Sequence, residues 1–420
     1  MFNPYRAVLF LPGAAAFSAA GLLARLPISM QGIAIVLLVI DASGSYGLAG
    51  LVAATFTVVN AVASPQVARL VDRHGQRRVL PGSVAVHAIG LLALLGLVAV
   101  GAPTAALLAA AIVAGAGFPS VGSLVRSRWS FLLSGATNEA DHTERADPRL
   151  QTAFAWESIV DEMIFIVGPP LTVLVATVLS PTAALLFTLG VLVSGSAILL
   201  TLRRTEPPGR PGKGSARGTV LREPALIVIV VTMAAIGTVF GTVEVVTIAF
   251  AEEQGSPGAA GIPLSIYSLG SLVAGLAYGT VRWRIPVARR FAAGCVVMVC
   301  TLVPLPTVGS LLGLGVVLFP AGMAIAPTLI AGFAATERAV PSGRLTEGLT
   351  WASTGVAIGV ATGAALAGRV TDAVGARPAY AIAVVGAGLA AVVSLAGGRR
   401  VSLAVRRREH VPDRRPVVGP

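Results

Sequence analysis

The sequence predicts an all-α membrane protein of twelve transmembrane helices, arranged as two six-helix, pseudo-symmetric bundles. Three observations carry that prediction. The 420 residues are 55% hydrophobic and only 12% charged, with a mean hydropathy of +0.84; a soluble domain carries about 25% charged residues. The apolar residues come in blocks long enough to cross a bilayer, which takes roughly 20 residues of helix. The cations stand at the ends of those blocks, on alternate sides.

Applying that length in chain order gives spans at 11–39, 46–68, 79–101, 104–125, 151–178 and 182–202. A second set follows at 225–250, 261–281, 291–308, 311–333, 348–370 and 378–397. Between the sets runs Arg203-Arg204-Thr205-Glu206-Pro207-Pro208-Gly209-Arg210-Pro211-Gly212-Lys213, whose Pro/Gly-rich, charged composition is that of a linker. The expected organisation is a first bundle at 1–202, a basic linker at 203–224, a second bundle at 225–400 and a basic tail at 401–420. Small residues let membrane helices approach closely, and that is the reading given to the 48 glycines.

The arginines test the topology. One Lys or Arg precedes span one, four follow span two and four follow span four. Six lie in the linker, four follow span eight, two follow span ten and seven follow span twelve, so 28 of 31 fall on one side. Positive-inside asymmetry places that side, with both termini and the linker, in the cytoplasm; the expected location is the plasma (inner) membrane. The segment Met1–Arg6 lacks a cleavable signal pattern, so the first apolar segment is expected to remain a span. The +12 charge is spread over loops rather than gathered in a patch, which argues against nucleic acid as partner.

The two halves echo each other. Trp156, Gly168 and Leu171 in span five recur as Trp351, Gly363 and Leu366 in span eleven, at a constant offset. Ala49-Gly50, Arg73 and Arg78 recur more weakly as Ala260-Gly261, Arg284 and Arg289. Duplicated halves are the architecture of many secondary transporters.

The loop after span two reads Ala68-Arg69-Leu70-Val71-Asp72-Arg73-His74-Gly75-Gln76-Arg77-Arg78. It resembles the Gly-x-Leu-Ala-Asp-Arg-x-Gly-Arg-Arg motif of the major facilitator superfamily, matching at Leu70, Asp72, Arg73, Gly75 and Arg77. Ala68 and Gln76 depart from it. With twelve spans and a basic central linker, the chain resembles that superfamily over nearly its whole length. The resemblance implies a conformational latch in which Asp72, with Arg73, Gly75 and Arg77, engages arginines and a neighbouring helix end in the outward-facing state. Gly168-Pro169-Pro170 loosely resembles the glycine-proline motif of the superfamily's antiporters, without its later glycines, and a kink there would suit gating. Span four lacks the buried arginine of the antiporters' other motif, since Arg126 and Arg128 come at its end.

Charges inside spans cost about 2.5–3.5 kcal/mol each on insertion scales, so they are the candidates for the proton-coupling or substrate pathway. Span five holds Glu157, Asp161 and Glu162. Glu157 and Asp161 share one face and Glu162 points about 100° away; each could take up and release a proton, or pair with Arg126 or Arg128. Glu244 in span seven lies on the same face as Gly237 and Gly241, a stripe that admits a helix or a solute. Arg25 stands mid-span with Gln31 further along, and an arginine there requires an acid such as those of span five, or water. His87 reads as a packed polar residue.

No nucleotide-binding Gly-x-x-x-x-Gly-Lys-Ser/Thr loop is present. Cys295 and Cys300 read as apolar packing residues, and no haem or zinc pattern is visible, so no cofactor or metal is expected. The expectation is a monomeric secondary transporter rather than an enzyme, with the lipid bilayer, protons and a small-molecule substrate as partners. It would export a small amphiphilic or drug-like organic solute. The rivals are a proton-coupled importer of a metabolite and a non-transporting scaffold or sensor.

Overall fold

The structure is a computed structural model that describes residues 3–134, 148–209, 219–256, 259–281 and 283–409. Among these residues twelve helices are long and apolar enough to cross a membrane, from Ala14–Ser43 to Ala376–Arg407. Several begin where sequence chemistry dictates. Ser45, Ser180 and Ser310 cap their helices by accepting the amides of Leu48, Ala183 and Gly313, and Pro181 and Pro224 occupy first-turn positions where no amide is missed.

Several spans are interrupted. Span one is two helices, Ala14–Arg25 and Pro27–Ser43, joined at Leu26. Span four breaks at Phe118-Pro119-Ser120 between Thr104–Gly117 and Val121–Ser134, and span ten at Ala324 between Leu311–Met323 and Ile325–Ala339. One sequence boundary is corrected. Span four extends over Thr104–Leu133, so Arg126 and Arg128 lie inside it rather than beyond its end; those two charges are what ended the apolar run at Val125. The last helix, Ala381–Glu409, runs on into the expected tail at 401–420. The remainder of the tail, and linker residues 210–218, lie outside the described residues.

Packing follows the small residues. A Cβ on Gly241 of span seven would lie 2.0 Å from the carbonyl oxygen of Val360, and one on Gly359 of span eleven would lie 1.9 Å from that of Ala234. Backbones therefore touch along this seam, where van der Waals contact substitutes for a hydrophobic driving force that lipid does not supply.

Polar contacts between the halves gather at the arginine-rich ends of the spans. Thr152 Oγ1 at the start of span five donates to the carbonyl of Gly279 at the end of span eight (2.7 Å), and Gln151 Nε2 donates to the carbonyl of Tyr278 (3.1 Å). Before span one, the Tyr5 hydroxyl donates to the carbonyl of Leu276 (2.8 Å).

Candidate functional site

The break after Arg25 leaves that residue as the last of a helix turned into the bundle. Its Nε donates to its own helix at the Gly21 carbonyl (3.1 Å). The guanidinium is 3% exposed and bridges two acids one helical turn apart: Nη2 pairs with Glu157 and Nη1 with Asp161 Oδ1 at 2.9 Å. A second arginine, Arg126 of span four, reaches Asp161 Oδ2 at 2.6 Å. Gly122 makes room for both, since a Cβ there would lie 3.2 Å from Arg126 Nη1 and 3.5 Å from Arg25 Cδ.

Neutral donors complete the cluster. Glu157, fully buried, accepts from Trp129 Nε1 at 2.6 Å and Ser18 Oγ at 3.2 Å, and Trp156 Nε1 holds Ser18 Oγ at 2.8 Å. The Arg126 guanidinium lies over the Phe333 ring of span ten, 4.2 Å from its centroid, so the cluster touches the opposite half. Two guanidiniums face two carboxylates, which compensates the charges; a buried ion survives desolvation only with such partners.

Glu162 is directed elsewhere. It accepts from Ser271 Oγ of span eight at 2.7 Å, and among the described residues no cation stands at ion-pair distance from it. One turn away on span eight, the buried Tyr267 hydroxyl has no hydrogen-bond partner. About 13 residues into its span, Glu162 lies some 20 Å from the arginine-rich end at 1.5 Å per residue.

Other candidates stand apart from this cluster. Gln31, 1% exposed, is turned toward span six, where its Oε1 accepts from Thr188 Oγ1 at 3.2 Å. Glu244 is exposed, and the glycine stripe beside it is filled by span eleven. His87 is packed between Phe56 and Phe118, with its Nδ1 2.8 Å from the Ala114 carbonyl. Span five runs through Gly168-Pro169-Pro170 as one helix, Pro148–Val178. Gly168 instead allows close approach to Ser29, whose Oγ a Cβ would meet at 2.0 Å.

Arg128 is a buried cation whose acceptors among the described residues are all neutral. It donates to Gln76 Oε1 (2.7 Å), Thr205 Oγ1 (2.9 Å) and the carbonyls of Leu202 (2.8 Å) and Leu199 (3.0 Å). It thereby ties the start of span three to the end of span six, where a helix leaves carbonyls unsatisfied.

At the arginine-rich face, Asp72 accepts two backbone amides from the first turn of helix Leu345–Val374: Thr346 N at 3.1 Å and Glu347 N at 2.8 Å. A carboxylate at a helix N-terminus meets both unpaired amides and the positive end of the dipole. Glu347, fully buried, accepts in turn from Arg69 (2.9 Å), Arg344 (3.0 Å), Thr219 Oγ1 (3.0 Å) and Val220 N (3.1 Å). The expected arginine partners of Asp72 are thus displaced by backbone amides, with Arg69 acting through Glu347. Gly75 turns the chain at φ +85°, a conformation that favours glycine. The amide of Arg77 donates to Glu206 Oε1 at 2.9 Å, and the side chains of Arg73 and Arg77 are exposed. Sequence reasoning missed Glu347, for which the available signal was an acid in the first turn after Pro341-Ser342-Gly343; Arg126, named there as a possible partner of a span-five acid, is the second cation on Asp161.

The model of the Major Facilitator Superfamily matches residues 17–255, more than half of the chain. Among solved structures, the chain is similar to a bacterial homologue of the iron transporter ferroportin in an outward-facing state. That match has 16% identity and a TM-score of 0.71, over 91% of this chain and 98% of that one. It is also similar to the human organic anion transporter MFSD10 (16%, TM-score 0.65, 94% and 99%) and to the E. coli fucose:proton symporter FucP (13%, 0.68, 92% and 98%). No curated protein sequence matches it. With a twelve-helix fold in common and a family match over most of its first half and into its second, the chain is a multi-pass membrane protein that belongs to the major facilitator superfamily.

Proposed function

We propose that this chain is a proton-coupled secondary transporter that works by alternating access, in which two bundles rock around a central site. The observation that carries the reading is Glu162, a carboxyl deep in span five with no cation at ion-pair distance among the described residues, hydrogen-bonded across the halves to Ser271. Asp161 and Glu157 are held by arginines; Glu162 is the acid free to exchange a proton. Loading it changes the hydrogen bond that joins the halves, which links protonation to their rocking.

In this reading the arginine-rich face is cytoplasmic, in the plasma membrane. The Asp72 contact is a latch that keeps this face shut, and the conformation is outward-facing. Two bundles, 1–202 and 225–400, move as units about the linker at 203–224. The cargo is a small amphiphilic organic solute, and export is the direction proposed, because three carboxyls against two guanidiniums at the centre favour a cationic or protonatable molecule. Import is the second reading, favoured by the similarity to a fucose:proton symporter. The test is solute flux in proteoliposomes under an imposed pH gradient. Coupled flux that collapses with the gradient supports the proposal, and flux indifferent to the gradient sinks it; the sign of the gradient that drives accumulation separates export from import.

A further inference from the structure

Beside the Asp72 latch lies a cleft of about 680 Å³ bordered by Arg73, Arg77, Arg78 and Arg203 and by the segment Glu206–Gly209. All four guanidinium groups are exposed, and among the described residues none has a hydrogen-bonding or ion-pairing side-chain partner. The buried arginines Arg25, Arg126, Arg128 and Arg290, by contrast, each have hydrogen-bond or ion-pair partners. One acid, Glu206, borders the cleft, and its Oε1 is occupied by the Arg77 amide. The floor is built rather than loose: a Cβ on Gly209 would lie 2.5 Å from the Gly75 amide nitrogen, so the linker packs directly on the glycine turn. The cleft opens at the ends of spans two, three and six, where the hydrocarbon of the membrane gives way to headgroups.

We propose that this cleft binds a phosphate-bearing anion, with the phosphodiester of an anionic lipid headgroup as its occupant. Guanidinium groups suit phosphate oxygens by geometry as well as charge, and each cation near an anionic surface adds materially to binding. Three of the cleft's arginines, Arg73, Arg77 and Arg78, belong to the latch loop, so an occupied cleft reinforces the latched conformation.

The test uses the purified full-length protein in neutral detergent, titrated separately with phosphatidylglycerol, phosphatidylcholine and inorganic phosphate. Binding is read by native mass spectrometry and thermal shift. Saturable retention of one phosphatidylglycerol, with a rise in Tm that phosphatidylcholine does not give, is the expected result. Inorganic phosphate that displaces the lipid and reproduces the rise overturns the lipid as occupant and identifies a soluble phosphate. The double variant Arg78→Gln/Arg203→Gln is expected to bind about tenfold more weakly, whereas Arg399→Gln/Arg400→Gln, at exposed positions outside the cleft, leaves binding unchanged. Equal losses in both variants, or no saturable binding, overturn the proposal.

A second, independent observation concerns the opposite face. Residues 368–378 read Gly-Arg-Val-Thr-Asp-Ala-Val-Gly-Ala-Arg-Pro, which repeats the spacing of residues 68–78: Arg369, Asp372, Gly375 and Arg377 stand 300 positions after Arg69, Asp72, Gly75 and Arg77. The backbones agree as well. Gly375 has φ +90° against +85° for Gly75, and each donates to the carbonyl four residues before it, at 2.9 and 2.8 Å. In each case a distant carboxylate accepts from the following helix: Glu253 Oε1 from Ala376 N (2.7 Å), as Glu206 from Arg77 N. Yet Asp372 is exposed and has no partner among the described residues, while Asp72 is engaged.

We infer that Asp372 is a reciprocal latch. Asp72, at the far end of span two, holds the first turn of span eleven; Asp372, at the far end of span eleven, takes the first turn of span two when the opposite face closes. This rests on the alternating-access reading. Spin labels across each face, measured by pulsed electron resonance in liposomes, test it. Asp372→Asn is expected to shift the population ratio a few-fold toward the state open at its own face, Asp72→Asn the other way, and the double variant back toward the parent. An unchanged ratio in Asp372→Asn, or a shift in the direction of Asp72→Asn, overturns the latch. A parent protein fixed in one state overturns both the latch and alternating access.

Discussion

Asp72 closes the arginine-rich face by accepting the amide of Glu347 at 2.8 Å, a contact between residues 275 positions apart in the chain. The carboxylate sits where the first turn of a helix has free amides, and Glu347 itself is held by Arg69 from the helix that carries Asp72. Two charged links thus run in parallel between spans two and eleven.

Asp72→Asn should weaken this closure, since a charge at a helix N-terminus contributes about 0.3–2 kcal/mol. The expected outcome is faster labelling of a cysteine placed at the start of span five, beneath the latch. Unaltered labelling kinetics would show that the Arg69–Glu347 link suffices.

Arg25→Ala leaves Glu157 buried with one fewer counter-charge, which should cost about 3–5 kcal/mol. A lowered Tm is expected, with part of the loss recovered in Arg25→Ala/Glu157→Gln because the stranded charge is then gone. If the double variant melts below the single, compensation of charge is not what holds the cluster.

Glu162→Gln keeps a hydrogen-bond acceptor for Ser271 but cannot release a proton. Solute counterflow should persist while accumulation driven by a pH gradient disappears. Retention of gradient-driven accumulation would remove Glu162 from the coupling step.

Gly241→Ala places a methyl 2.0 Å from the Val360 carbonyl oxygen, and relief requires spans seven and eleven to part. Overpacking of this kind costs about 1–3 kcal/mol. Gly388→Ala, where the space is open, is the control; equal melting temperatures for the two variants would refute the tight seam.

Much of the architecture was legible because hydropathy is a local property. Twelve spans, the linker at Arg203 and the Asp72 loop all follow from runs of residues read in order. So did the Arg25 pairing, since an arginine within a span demands an acid and span five offered two on one face. The end of span four differs for the same local reason: the apolar run stops at Val125 before two arginines, although the helix Val121–Ser134 continues and buries both Arg126 and Arg128.

The sequence by itself determined which segments cross the membrane, how cations divide between its faces and which charges must find partners. Only the tertiary structure decided who those partners are. Asp161 is shared by two arginines, Gln31 turns to span six, Glu347 receives Arg69, and Glu162 meets Ser271 rather than a cation. The reason is geometric: a side chain's partner depends on the rotation and crossing of helices far apart in the chain. Those are set by where glycine and alanine let backbones touch, which no single segment encodes.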